Sequence, residues 1–177
     1  IIDTLIGIAV SLAVNAARLP RRKDQNTLFI TGLDGVLWEQ EKPLSSFSKI
    51  RLTHLLNQGA KITVATDRTP ASFLPLIGEI PFSLPVIAMN GAALYHIPSN
   101  TYAYCKTIPR DLTDRLQSLF EQREVNCFTQ AVIHDVLHVY YTRFTNEAQE
   151  DLYRIRHGGA REIYACAFLP GGHEAVC

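Results

Sequence analysis

Leu28-Phe29-Ile30-Thr31-Gly32-Leu33-Asp34-Gly35-Val36-Leu37-Trp38 is the stretch that decides the fold. From Thr27 to Thr31 it is a short β-rich run, and Gly32 to Gly35 is a turn signal that ends it. Two similar runs follow, Lys61 to Ala65 (KITVA) and Pro85 to Met89 (PVIAM). Between the runs the spacing predicts helices. Over Ser45 to Asn57 the apolar residues Phe47, Ile50, Leu52, Leu55 and Leu56 lie close to helical spacing, with Ser45 or Ser46 as cap and Gly59 as stop. Thr69 to Ile77 is a shorter helix begun near Pro70. Strands alternating with helices in this way imply βαβ units around a buried parallel sheet, an α/β fold.

Open parallel sheets bind ligands beyond the carboxyl ends of their strands. Those ends here carry Gly32-Leu33-Asp34-Gly35, Thr66-Asp67-Arg68 and Asn90-Gly91, which together define a candidate site. The glycine spacing is not that of a dinucleotide fingerprint, and the chain holds no P-loop.

After Asn90 the pattern changes. Leu94 to His96 and Tyr102 to Cys105 read as a hairpin, Asp111 to Arg123 as an amphipathic helix, and Cys127 to Tyr141 as two strands turning near His134-Asp135. A helix over Asn146 to Arg156 and a strand over Glu162 to Leu169 complete an α+β module placed after the βαβ half. His134 and His138 are four apart, but the surrounding Val, Ile and Tyr favour strands, which separate the two imidazoles. Gly171-Gly172-His173 reads as a turn.

The opening stretch resembles the first motif of the haloacid dehalogenase (HAD) superfamily, a strand followed by D-x-D-G-T-L. V-A-T-D-R (Val64 to Arg68) is similar to that superfamily's second motif, a strand ending in T-G-R. P-V-I-A-M-N-G-A (Pro85 to Ala92) is similar to the segment leading into the cap of its Cof-type (IIB) sugar-phosphatase branch. The resemblance spans residues 27 to about 95. It implies a Rossmann-like core half over residues 27–92 and an α+β cap over residues 93–177, both partial. It also implies hydrolysis through an aspartyl-phosphate, in which a first Asp attacks phosphorus and a second Asp protonates the leaving oxygen. Mg²⁺ would be held by the first Asp and by the backbone carbonyl of the second.

Carried onto this chain, the resemblance places Asp34 at the acid/base position, with its carbonyl as a metal ligand. Thr66 falls on the phosphate-binding position, and Arg68 and Asn90 fall at the mouth of the site. The nucleophile position falls on Gly32, which has no side chain to attack phosphorus or to ligate magnesium. Val36 replaces the usual Thr, and Asp67 replaces a Gly and adds negative charge where a phosphate should bind. The later Lys and acidic-pair motifs find no match after Thr66, so any such parts are expected beyond Cys177. The polypeptide is therefore expected to bind a small phosphorylated metabolite, or to serve a regulatory or structural role, without phosphatase activity. The alternative is a Mg²⁺-dependent Cof-type phosphatase completed by further motifs.

Residues 1–19 hold 13 apolar residues, with Asp3 and Arg18 the charged ones. At 1.5 Å per residue this is at the short limit for crossing a ~30 Å hydrocarbon layer. Gly7, Ser11 and Asn15 make a small or polar stripe of the kind that lets membrane helices approach closely. The run from Asp3 to Asn15, closed by Pro20 and basic residues, is similar to the last membrane helix of the aromatic acid exporter (fusaric-acid-resistance-like) family. A long amphipathic helix packed on a soluble core is the other reading. Arg21, Arg22 and Lys23 lie in a basic linker, residues 20–26. The positive-inside rule then expects a transmembrane helix with the body in the cytoplasm.

Composition sets the outer limits. The 177 residues are 47% apolar and 19% charged, which supports a packed core and excludes wholesale disorder. Seventeen basic and 17 acidic residues give no net charge, which argues against a nucleic-acid partner. Cys105, Cys127, Cys166 and Cys177 form no C-x-x-C pair, so they read as isolated thiols rather than a zinc or redox site.

Overall fold

The computed structural model describes residues 27–38, 44–144, 146–156, 162–166 and 175–176. The expected membrane helix and basic linker lie outside these residues, as does the turn at Gly171-Gly172-His173. Among the described residues no helix is long and apolar enough to cross a membrane.

The core is a five-stranded sheet in the order β1-β2-β3-β4-β5. Its strands are β1 (Leu28–Gly32), β2 (Lys61–Ala65), β3 (Val86–Ala88), β4 (Ala93–His96) and β5 (Thr101–Cys105). β1 and β2 run parallel from Leu28↔Lys61 to Gly32↔Ala65, and β3 joins them in parallel through Ala65↔Ile87. Helices α1 (Ser46–Asn57) and α2 (Pro70–Ile77) make the crossovers. Ser45 caps α1 by accepting from the Ser48 amide at 3.1 Å, and Pro70 opens α2, where its missing N–H costs nothing.

The sheet is mixed rather than purely parallel. Met89, Asn90 and Gly91 all have positive φ (54°, 56° and 90°), and this left-handed stretch reverses the chain. β4 therefore returns antiparallel on β3, and β5 antiparallel on β4. The hairpin expected in the α+β module thus extends the core sheet, which runs through the expected boundary at residues 92–93.

Ile62 and Val64 of β2, Phe73 and Ile77 of α2, Phe82, Val86 of β3 and Tyr95 of β4 form one buried cluster. Phe73 meets Tyr95 edge-on with ring centroids 5.9 Å apart, and Tyr95 meets Tyr102 edge-on at 5.0 Å, the preferred aromatic geometry.

The cap begins with β6 (Thr107–Ile108) and α3 (Arg110–Gln122). A three-stranded sheet follows, formed by β7 (Thr129–Ile133), β8 (Val136–Tyr141) and β9 (Glu162–Cys166), with α4 (Glu147–Arg156) between β8 and β9. His134 and Asp135, with φ of 50° and 61°, are the two central residues of a tight hairpin turn whose left-handed geometry matches strand twist. His134 thus sits in the turn while His138 lies on β8 stacked on Tyr140, so the two imidazoles are parted as expected. β10 (Ala175–Val176) pairs antiparallel with β6. Leu137 and Val139 of β8 reach into the same buried cluster as the core residues. Cys105, Cys127 and Cys166 are free thiols.

Candidate functional site

The site forms where β1, β2 and β3 end side by side. Strand alternation puts Leu33, fully buried, into the core and leaves Asp34 on the exposed side. Gly35, with φ of 73°, lets the chain fold back so that the Leu37 and Trp38 amides both donate to the Leu33 carbonyl, at 3.0 and 2.9 Å. Trp38 is thereby returned to bridge with Asp34.

Backbone hydrogen bonds tie the three strand ends together. The Leu33 amide donates to the Ala65 carbonyl at 3.2 Å, and the Thr66 amide to the Ile87 carbonyl at 2.9 Å. The Asn90 amide donates to the Thr66 carbonyl and the Met89 amide to the Arg68 carbonyl, both at 3.2 Å. Thr66 Oγ1 accepts from the Arg68 amide at 3.1 Å, closing a short turn at the end of β2.

Side chains then converge on Asp34. Arg68 Nη2 donates to Asp34 Oδ1 at 2.6 Å, and Nε donates to Oδ1 at 3.0 Å and to Oδ2 at 3.1 Å. Thr66 Oγ1 donates to Oδ2 at 3.3 Å. Arg68 Nη1 reaches Ser72 Oγ in the first turn of α2 at 3.3 Å, and its guanidinium carbon lies 4.7 Å above the Trp38 ring. A planar guanidinium suits this double role of carboxylate fork and aromatic stack. The hydrogen bonds and charge of Arg68 hold the Asp34 carboxyl below the usual carboxylate range, and Asp34 in turn raises Arg68.

Of the expected site residues, Asp34, Thr66 and Arg68 form one side-chain cluster. Asn90 joins it through its backbone, with an exposed side chain. Gly32 lies at the end of β1; a Cβ there would meet Val36 Cγ2 at 3.4 Å and the Asp34 carbonyl oxygen at 3.8 Å, ordinary contact distances. Asp67 is exposed beside this cluster and adds to the charge acting on Arg68. The roles of Trp38 and Ser72 were not anticipated. Trp38 closes the quoted stretch, but nothing in its neighbours announces a cation held over its ring.

The donor set does not fit the Mg²⁺ that the resemblance implies. Gly32 offers no carboxylate, and both Asp34 carboxylate oxygens are engaged by Arg68, which leaves the Asp34 backbone carbonyl of the donors that the resemblance implies. Among the described residues, no group of three or more His, Cys, Asp or Glu side chains is placed to hold a metal ion.

The family model of haloacid dehalogenase-like hydrolases matches residues 29–163, more than half of the chain. The chain belongs to the haloacid dehalogenase-like hydrolases, Cof type. It is 24% identical over 115 residues to the 5-amino-6-(5-phospho-D-ribitylamino)uracil phosphatase YitU of Bacillus subtilis, covering 64% of this chain and 43% of that protein. Its fold is similar to that of the phosphatase BT1666 from Bacteroides thetaiotaomicron, with a TM-score of 0.55, 24% identity, and coverage of 83% of this chain and 53% of that one. The subclass IIB sugar phosphatase BT4131 aligns with a TM-score of 0.56 at 20% identity, over 79% of this chain and 52% of that one. The chain thus spans about half the length of the relatives it matches.

Proposed function

We propose that this chain is a HAD-like module that binds a small phosphorylated metabolite without hydrolysing it, acting as a regulatory or structural element. The observation that carries this reading is the pairing of Gly32, at the nucleophile position, with the Arg68 fork on Asp34. Formation of an aspartyl-phosphate needs a carboxylate at the point of attack, and in-line attack tolerates little misplacement. What remains is a recognition surface: a guanidinium, a threonine hydroxyl and the backbone at three strand ends, groups suited to an anion's oxygens. In the same reading residues 1–19 attach the module to a membrane, with the body on the cytoplasmic side.

The test is a calorimetric titration of the chain with inorganic phosphate, run beside a p-nitrophenyl phosphate assay with Mg²⁺. Binding without turnover is the expected result. Mg²⁺-dependent phosphate release that disappears in Asp34→Asn would overturn it. Recovery of the intact chain in the detergent-free soluble fraction would remove the membrane part of the reading.

A second reading, a Mg²⁺-dependent phosphatase acting on a small phosphorylated metabolite, is favoured by the family match and by a relative named as a phosphatase. It requires a nucleophile other than Gly32, with Asp67 the neighbouring candidate, and remaining motifs beyond Cys177.

A further inference from the structure

Glu162 opens β9 in the cap sheet and is only 6% exposed. One of its carboxylate oxygens accepts from the hydroxyl of Thr69, a core residue that is itself 3% exposed. The other accepts from the Tyr164 hydroxyl at 3.2 Å. A carboxylate withdrawn this far from water is tolerated only where donors hold it, so the contact strongly favours one arrangement of cap and core.

Thr69 has a second distinction. It occupies the N-cap position of α2, where a threonine hydroxyl ordinarily accepts from the helix amides, yet this hydroxyl makes no such bond and donates to Glu162 instead. The residue before it is Arg68, whose amide, carbonyl and guanidinium are all committed to the strand-end site. The cap therefore grips the loop that positions the anion-binding cluster. A second carboxylate fastens the cap elsewhere: Asp135 Oδ1 accepts from the Tyr102 amide of β5 at 2.8 Å.

We infer that Glu162 is a positioning residue that couples docking of the cap sheet to the geometry of the Asp34–Arg68 site, acting through Thr69. Such coupling is reciprocal: an anion that settles on Arg68 in this arrangement tightens the cap, and a loosened cap weakens the anion. The ligand half of this inference rests on the binding reading above, and the structural half does not.

Trp38 is the chain's single tryptophan and lies under the Arg68 guanidinium, so its fluorescence reports the site without any ligand. The experiment uses the whole chain and measures acrylamide quenching of Trp38, together with inorganic phosphate affinity by calorimetry, in Glu162→Ala, Glu162→Gln and Asp135→Ala. Glu162→Ala is expected to make Trp38 about twofold more quenchable and to weaken phosphate by about fivefold, the low end of ordinary coupling. Glu162→Gln keeps an acceptor for Thr69 and should restore both values to near the original. Asp135→Ala removes a cap contact with β5 that does not involve the Thr69 loop and should leave Trp38 unchanged. If Glu162→Ala does not fold, Thr69→Val removes the donor from the other side and should give the same rise in quenching.

Unchanged quenching in a folded Glu162→Ala or Thr69→Val protein would overturn the inference. So would an equal response in Asp135→Ala, which would mean general loosening. If the expected Trp38 responses occur but phosphate binds to none of the proteins, the coupling stands and the binding reading falls. If phosphate binds equally to all of them with Trp38 unchanged, the binding reading stands and the coupling falls.

Discussion

Arg68 closes a fork on Asp34, with Nη2 at 2.6 Å from one carboxylate oxygen and Nε at 3.1 Å from the other. A group that protonates a leaving oxygen must carry a proton near neutral pH, and Arg68 drives Asp34 the opposite way. The carboxylate is thus better placed to hold a cation in position than to act as an acid. Removing it is the most direct perturbation of the site.

Asp34→Asn should release Arg68 toward solvent anions and remove one negative charge from the cluster. Inorganic phosphate should bind several-fold more tightly in calorimetry. The cost in stability should be below about 1 kcal/mol, because the pair is partly solvated, with side-chain exposures of 24% for Arg68 and 41% for Asp34. A weaker phosphate affinity in Asp34→Asn would mean that Asp34 itself helps to hold the ligand.

The same pair sets a pH dependence. Asp34 has its carboxyl lowered in the folded state, so the unfolded chain binds the proton first as pH falls. The stabilisation is fully present above the unfolded value near 3.8 and is lost as pH drops through the lower folded value. Thermal melts of the original protein and of Asp34→Asn should differ most above about pH 5 and draw together as pH falls below the unfolded value. A gap that widens in acid would contradict the assignment.

Gly32→Asp should be accommodated. The site for a Cβ is open except for contacts at 3.4 and 3.8 Å, and the backbone there is not left-handed. The melting temperature should stay within a few degrees of the original, as for most substitutions away from buried or strained positions. The new carboxylate beside Asp34 should bring measurable Mg²⁺ binding by calorimetry, absent in the original chain. Equal Mg²⁺ binding by both proteins would show that the present donors suffice.

Thr63 carries a structural test remote from the site. It is 3% exposed, and its Oγ1 donates to the Pro85 carbonyl at 2.6 Å, spanning from β2 to the residue before β3. The two strands share a single ladder pair, so this bond is a large part of what joins them. Thr63→Val keeps the shape but leaves a partly buried carbonyl without this donor, and should cost about 1 kcal/mol in denaturant unfolding. A loss under a few tenths of a kcal/mol would mean that the carbonyl finds another donor.

Much of this was legible in the sequence because it is local. The β-rich run from Thr27 to Thr31, the cap at Ser45 or Ser46 and the turn near His134-Asp135 each depend on residues a few positions apart; the structure sets the strand one residue later, at Leu28–Gly32, the cap at Ser45 and the turn at His134-Asp135. The strand-end cluster was legible through the family resemblance, since Asp34, Thr66 and Arg68 fall within motifs. What could not be read spans long separations. The Arg68–Asp34 fork joins positions 34 apart and the Thr69–Glu162 contact joins positions 93 apart. No periodicity encodes which of several Arg, Asp or Glu side chains will meet once the sheet has formed. The attachment of β4 and β5 to the core sheet was missed for a different reason. It turns on left-handed conformations at Met89 and Asn90, and methionine is a residue type that rarely announces them.

That reversal also governs how the gene can vary. Between Ala88 and Ala93 the chain turns back in four residues, and the register that follows pairs Val86 with Tyr95 and Ala88 with Ala93. Tyr95 is fully buried because it falls on the inward parity of β4. An in-frame insertion of one codon here, not absorbed by a bulge, would exchange the two faces of β4 and put Tyr95 into water and His96 into the core. A codon added at the exposed Ser99-Asn100 tip of the β4–β5 hairpin would only lengthen a surface turn. Descendants of this chain should therefore differ in length at that tip far more often than at residues 89–92.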